Sequence, residues 1–346
     1  MDLVALESRA RDLLPQGVYD YYAGGAEAEV TLGEAGSAWQ ARRLRPRMLR
    51  DVSSVSTATT LLGTAVSMPI GVAPWALQGM AHPEGESATA RGAADAGALM
   101  TVPTTATVPL EEVAKASDGP KWFQLYRVRD GAYTDELVLR AADAGYRALV
   151  MTVDLPVLGR RLRDLVNEFV LPDDIRLANH PPTDSLGERT LDGALGTIAS
   201  TWTFDDVGHF AALTSMPVVV KGVLRDDDAR QCVDAGAAAV WVSTHGGRQA
   251  DPVVSSASAL PAVVGTVGED VEVYVDGGLR RGSDVLGALA LGARAVFLGR
   301  PVIWGLATGG ADGVRDVLVE LTESLRLTMA LCGVTDVRDV PPDLVT

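Results

Sequence analysis

Four times along the chain an alanine-rich amphipathic stretch stops at a glycine and a short apolar run follows. Ala94-Asp95-Ala96-Gly97 precedes residues 98–102, and Ala142-Asp143-Ala144-Gly145 precedes residues 146–153. Val233-Asp234-Ala235-Gly236 precedes residues 237–243, and Leu289-Ala290-Leu291-Gly292 precedes residues 293–299. Glycine takes the left-handed conformation that closes a helix without a Cβ penalty. Strands that are apolar at successive positions are buried on both faces, as in parallel sheets. A recurring helix, glycine, buried strand restricts the chain to the α/β class.

The remaining apolar runs bring the total to eight strands, at about 69–73, 99–103, 121–125, 147–153, 216–221, 237–243, 271–275 and 294–299. Eight β-then-α units predict a closed (β/α)8 TIM barrel rather than an open doubly wound sheet. Pro83, Glu84 and Glu86 mark a helix first turn, and Thr134 and Ser283 are expected N-caps. The 346 residues, 47% hydrophobic, suit one large domain spanning 1–346. Residues 1–68 are expected to form an N-terminal extension of helices plus a short strand or hairpin, 69–310 the barrel, and 311–346 C-terminal helices. Residues 176–204, carrying Pro, Thr, Asp and Gly, predict a long lid loop after the fourth barrel strand.

A formal charge of −15 argues against nucleic acid or an anionic membrane as a partner. It leaves room for an anionic substrate, because a local cluster of basic side chains overrides the net field. Cys232 and Cys332 lie in apolar, helix-like stretches with no CxxC spacing, so two buried thiols, no disulfide framework and no metal site are expected. The N-terminal residues mix charged and apolar side chains at helical spacing, unlike a signal peptide. No window reaches the ~18 uninterrupted apolar residues of a membrane span. A soluble, cytoplasmic protein is the expectation.

In such barrels the active site lies where the strands end. The first apolar run leads to Ala73-Pro74-Trp75-Ala76 and the second to Pro103-Thr104-Thr105. The third carries Gln124 and ends at Tyr126, and the fourth carries Thr152 and Asp154. The fifth ends at Lys221-Gly222 and the sixth at Ser243-Thr244-His245-Gly246-Gly247-Arg248. The seventh gives Asp276-Gly277-Gly278-Leu279-Arg280, and the eighth Gly299-Arg300. Glycines with an arginine at both of the last two strand ends predict a phosphate site. Three of the four histidines have ordinary settings: His82 before a proline at a helix start, His180 in the long loop, His209 in a helical run. His245 instead follows a strand in a glycine-rich turn, where a neutral imidazole suits a general base and Asp154 could orient it.

These residues carry a resemblance. Tyr19-Asp20-Tyr21-Tyr22, Ala81-His82-Pro83-Glu84-Gly85-Glu86, Phe123-Gln124-Leu125-Tyr126, Thr152-Val153-Asp154, Gly159-Arg160-Arg161, Lys221-Gly222, the His245–Gln249 turn and Asp276–Gly282 occur in that order. The chain resembles the FMN-dependent 2-hydroxy-acid dehydrogenase/oxidase family (glycolate oxidase, lactate oxidase, mandelate dehydrogenase) from about residue 3 to 340. Gly159–Asp164 and Pro46–Asp51 look more similar to the 4-hydroxymandelate oxidases.

The resemblance implies FMN as cofactor and oxidation of an (S)-2-hydroxy acid, aryl-bearing or medium-sized, to the 2-oxo acid. Oxygen would be reduced to hydrogen peroxide, and a homotetramer is implied as well. It implies His245 as base with Asp154 as its partner, and Arg248 and Tyr21 on the substrate carboxylate. Tyr126 would lie near the substrate oxygen, and Arg161 would bind substrate and stabilise the His–Asp pair. Lys221 would face the flavin N1/O2 edge, with Gln124, Thr152 and Ser243 bonded to the ring and Asp276 to the ribityl chain. Gly278, Arg280, Gly299 and Arg300 would cradle the phosphate, and Pro74, Trp75 and Ala76 would lie beside the flavin. Departures are Thr244 in place of a usual Asn, Pro103 where many members offer a hydroxyl, Trp75 where a smaller residue is common, and Thr105 in place of a large aromatic. The last should widen the substrate pocket. The alternatives are a dehydrogenase that passes electrons to a quinone or carrier protein, and a non-redox FMN barrel such as type-2 isopentenyl-diphosphate isomerase.

Overall fold

The computed structural model describes residues 2–181 and 198–346. An antiparallel hairpin, β1 (Thr59–Leu61) and β2 (Thr64–Val66), precedes the barrel. The barrel strands are β3 (Ile70–Val72), β4 (Met100–Pro103), β5 (Lys121–Leu125), β6 (Leu149–Thr152), β7 (Val218–Val223), β8 (Ala239–Val242), β9 (Glu272–Asp276) and β10 (Ala295–Leu298). They close in the order β10-β3-β4-β5-β6-β7-β8-β9, with β10 pairing parallel to β3. Every strand expected from the apolar runs is present, with small shifts at the ends. The repeat works as its chemistry requires: Gly97, at φ 73°, takes the left-handed C-cap of helix Gly85–Ala96.

Two expected N-caps are displaced. Helix Gly131–Asp143 starts at Asp130, whose carboxylate accepts from the N–H groups of Ala132 and Tyr133. Thr134 lies inside that helix and donates its hydroxyl to the Asp130 carbonyl at 3.0 Å. A charged acceptor four residues earlier satisfies the orphan donors better than a hydroxyl. Helix Gly282–Ala290 begins before Ser283 can cap it. There Asp284 accepts from the N–H groups of Arg280 and Arg281, each at 2.9 Å.

The N-terminal extension folds as helices Leu3–Leu13, Gln16–Ala23 and Val30–Gln40 before the hairpin. The last helix of the chain, Arg300–Cys332, breaks at Gly309 and Gly310. Of the expected lid, residues 182–197 lie outside the described residues. Its flanks are placed: Ile198 bridges to Val128, and His180 is buried. Both cysteines are buried free thiols. Among the described residues no helix is long and apolar enough to cross a membrane, and no group of three or more His, Cys, Asp or Glu could hold a metal ion.

Side chains alternate along a strand, so one set of positions fills the barrel. The interior cluster is Leu99, Trp122, Val150, Val219, Trp241, Tyr274 and Phe297, with small residues between, and Leu61 and Val66 of the hairpin join it. Two residues further along the strands, the same register gives Thr101, Gln124, Thr152, Lys221, Ser243, Asp276 and Gly299. The barrel interior thus turns from aromatic to polar in one step of the pleat.

Candidate active site

Above that step opens a cleft of about 950 Å3, lined by residues on or following all eight barrel strands and by Tyr21 of the N-terminal extension. Tyr21, Pro74, Trp75, Ala76, Thr105, Tyr126, Thr152, Arg161, Lys221, His245, Arg248, Asp276, Gly278, Arg280, Gly299 and Arg300 all border it. Asp154, Pro103, Gln124 and Ser243 lie one layer behind. Ser243 donates to Asp276 at 2.7 Å, and Pro103 stands beside Gln124 in the β4–β5 register.

His245 begins the turn after β8 at φ 53°, a left-handed conformation that strains a residue with a Cβ. Its N–H donates to the Ser243 hydroxyl at 3.0 Å, which helps hold that geometry. The ring places Nδ1 2.7 Å from Asp154 Oδ1. Burial of Asp154 opposes its ionisation, yet the charges of His245 and Lys221 and the His245 hydrogen bond hold the carboxyl below its ordinary range. An ionised carboxylate at that distance assigns the ring hydrogen to Nδ1 and leaves the Nε2 lone pair facing the cleft. Burial, first, and then the Lys221 and Arg161 charges lower the imidazole pKa against the opposing pull of Asp154. The ring is therefore neutral at pH 7. The Tyr126 hydroxyl lies 3.3 Å from Nε2. Burial, then Asp154, push the phenol well above its usual range, so it stays a donor.

The cleft runs against the net charge of the chain. Arg161 is buried, and its pKa falls to about 10 through burial and then through the neighbouring Arg248. Its Nε has no hydrogen-bond partner. A buried cation with an unused donor favours an anion beside it. Arg248 spends Nη1 on the carbonyls of Tyr21 and Gly24, at 2.5 and 2.9 Å, which fixes its planar fork. Lys221 donates to Ser243 at 2.9 Å and lies 3.4 Å from Asp276. Arg300 is anchored to the backbone of the N-terminal extension and of the His245 turn. It donates to the carbonyls of Tyr22, Ala23, Gly24 and Gly246 at 2.8–3.2 Å. The Arg280 guanidinium donates to the Leu279 carbonyl at 2.9 Å. Gly278, at φ 81°, also meets a packing demand, since a Cβ there would lie 2.2 Å from the Ala35 carbonyl.

The donor set fits FMN. Gln124 Nε2 and Thr152 Oγ1, both buried, have no partner. They lie on neighbouring strands at the polar step, where the heteroatom edge of an isoalloxazine would satisfy them. Lys221 supplies a cation on the next strand for the charge a reduced flavin carries. Gly299 precedes helix Arg300–Cys332, whose positive N-terminal end suits a phosphate.

Sequence reasoning missed His180. Its Nε2 lies 3.1 Å from the hydroxyl of Thr105, a residue of the cleft wall, and burial lowers its pKa to about 4. No local signal marks a contact across 75 positions. The anchoring of Tyr21–Gly24 by two arginines was likewise invisible, since backbone carbonyls leave no trace in a sequence.

The sequence profile of the FMN-dependent dehydrogenase family matches residues 10–346. Glycolate oxidase 1 of Oryza sativa subsp. indica is 46% identical over 345 residues, covering 98% of this chain and 94% of the relative. L-lactate oxidase of a Nostoc species is 45% identical over 353 residues, covering 98% of this chain and 96% of the relative. A crystal structure of mandelate oxidase superposes with a TM-score of 0.93 at 44% identity, covering 100% of this chain and 97% of that one. A mandelate oxidase structure with (S)-2-phenylpropionate gives 0.92, again at 44% identity. The buried flavin-sized donor set, the His–Asp pair and these matches lead to one conclusion: this chain belongs to the FMN-dependent dehydrogenase family.

Proposed function

We propose that this protein oxidises an (S)-2-hydroxy acid with an aryl or medium-sized substituent to the 2-oxo acid and passes the electrons to oxygen as hydrogen peroxide. Two electrons and two protons leave the substrate, and oxygen takes up the same number. FMN, when bound, supplies the two-electron acceptor between them. The relatives named as oxidases of glycolate, L-lactate and mandelate support the reaction class.

The observation that carries this reading is the His245–Asp154 contact of 2.7 Å, which leaves Nε2 basic and aimed at the cleft. Nε2 removes a proton from the substrate, and Asp154 stabilises the imidazolium that results. Arg248 and Arg161 bind the substrate carboxylate, and a planar guanidinium grips both oxygens at once. Tyr126 donates to the substrate oxygen. Lys221 would supply the cation for negative charge on the reduced cofactor. Thr105 and Leu155 form the wall toward the substrate side chain, and the small Thr105 leaves room for a ring.

The test is a set of (S)-2-hydroxy acids, from glycolate and lactate to mandelate and 4-hydroxymandelate, mixed without oxygen with the flavin-loaded protein. Mandelate or 4-hydroxymandelate should bleach the flavin absorbance fastest, and readmitted air should return one peroxide per turnover. A flavin that no acid bleaches sinks the reaction, and bleaching without peroxide moves the electrons to another acceptor.

A further inference from the structure

Trp75 follows β3 at the mouth of the barrel and borders the cleft. The edge of its six-membered ring rests on Gly299: a Cβ at 299 would lie 2.7 Å from Cζ3 and 2.8 Å from Cε3. Two guanidinium groups share this one indole. Arg248 Cζ lies 5.5 Å from a ring centroid and Arg300 Cζ 5.4 Å. The Tyr22 ring packs beside it at 6.1 Å. Arg248 faces the proposed carboxylate end of the cleft, and Arg300 opens the helix proposed to take the phosphate. Two buried like charges repel in a medium that screens poorly. An aromatic ring that both cations contact offsets part of that repulsion.

Resting on the functional reading above, we propose that Trp75 is a positioning residue that orients two neighbouring cations of the cleft, Arg248 and Arg300, which also meet at the Gly24 carbonyl. It holds Arg248 for the substrate carboxylate and Arg300 with Gly299 for the cofactor phosphate. The indole does not titrate, so its effect on anion binding passes through the two cations and the glycine it covers. Loss of the ring should therefore weaken phosphate and carboxylate binding together. It should leave recognition of the flavin ring itself, at Gln124 and Thr152, largely in place.

Riboflavin, which lacks the phosphate, separates the two. Apoprotein is titrated with FMN and with riboflavin by quenching of flavin fluorescence, in the unaltered chain and in Trp75→Leu, Trp75→Phe and Trp75→Tyr. Trp75→Leu should weaken FMN roughly tenfold more than riboflavin, as expected for the lost cation–π contact to Arg300. It should also raise the KM for (S)-mandelate by more than it lowers kcat, and the Phe and Tyr variants should recover most of both effects. Equal weakening of both flavins, an unmoved KM, or a Phe variant as poor as Leu overturns the role given to Trp75. If the Leu variant does not fold, judged by circular dichroism and thermal unfolding, the graded Trp, Tyr, Phe series decides the same question. An unaltered chain that takes up neither flavin defeats the reading of the cleft itself, an outcome distinct from failure of the Trp75 role.

Discussion

The two ends of the barrel interior are built on the same eight strands yet obey opposite rules. At the hairpin end, Trp122, Trp241, Tyr274 and Phe297 pack ring on ring, with centroids 3.9–6.3 Å apart. At the open end, two residues along, stand Gln124, Ser243, Asp276 and Gly299. The lower layer holds the cylinder round by filling it. The upper layer keeps polar atoms out of water and leaves Gln124 Nε2 and Thr152 Oγ1 without a partner. Trp122 and Trp241 of the lower layer leave their indole N–H groups unpartnered too, but away from the cleft, so filling dominates one layer and chemistry that a ligand can complete the other.

The largest effect should separate the layers most sharply. His245→Ala removes the base and should lower kcat by about 10²–10⁴-fold, while thermal unfolding stays close to that of the unaltered chain. An active variant would disprove the assignment of the base. Trp122→Ala makes the converse cut: it should cost about 3–5 kcal/mol of stability in urea unfolding. Molecules that remain folded should keep KM near its original value. A variant with full stability but altered KM would mean that the lower layer belongs to the site after all.

The third prediction concerns protons. His180 is held by burial at a pKa of about 4, and His245 is lowered in the same direction. In the unfolded chain both imidazoles titrate near their ordinary value, so below it the unfolded state binds protons that the folded state refuses. Stability is then complete above about pH 6.5 and falls toward pH 4, His180 alone contributing up to about 3 kcal/mol. Unfolding of His180→Asn should show a flatter pH profile over that window, and an unchanged slope would reject the assignment. Smallest of all, Arg91→Ala breaks an exposed pair with Glu84 outside both layers. It should shift stability by less than about 1 kcal/mol, which a pair of thermal melts would check.

The architecture was legible because the repeat of glycine-closed helices and buried strands encodes it locally. Residues at the strand ends were legible for a related reason, since the point where an apolar run stops is visible in one dimension. What escaped depended on distance or on competition. Thr105 and His180 meet only after the barrel forms. Asp130 displaced Thr134 as a cap because two good acceptors lay within one turn, and only the fold chooses between them. Arg300 was legible as a cation at a strand end, but its bonds to the carbonyls of Tyr22–Gly24, distant in sequence, were not.

That tether has a temporal consequence. Tyr21–Gly24 is made well before Arg248 and Arg300, and β10 must find β3 before the cylinder shuts. No growing or truncated fragment can present a finished cleft. Tight flavin uptake should therefore mark the final event of folding, which makes colour a direct gauge of how much protein has reached its native form.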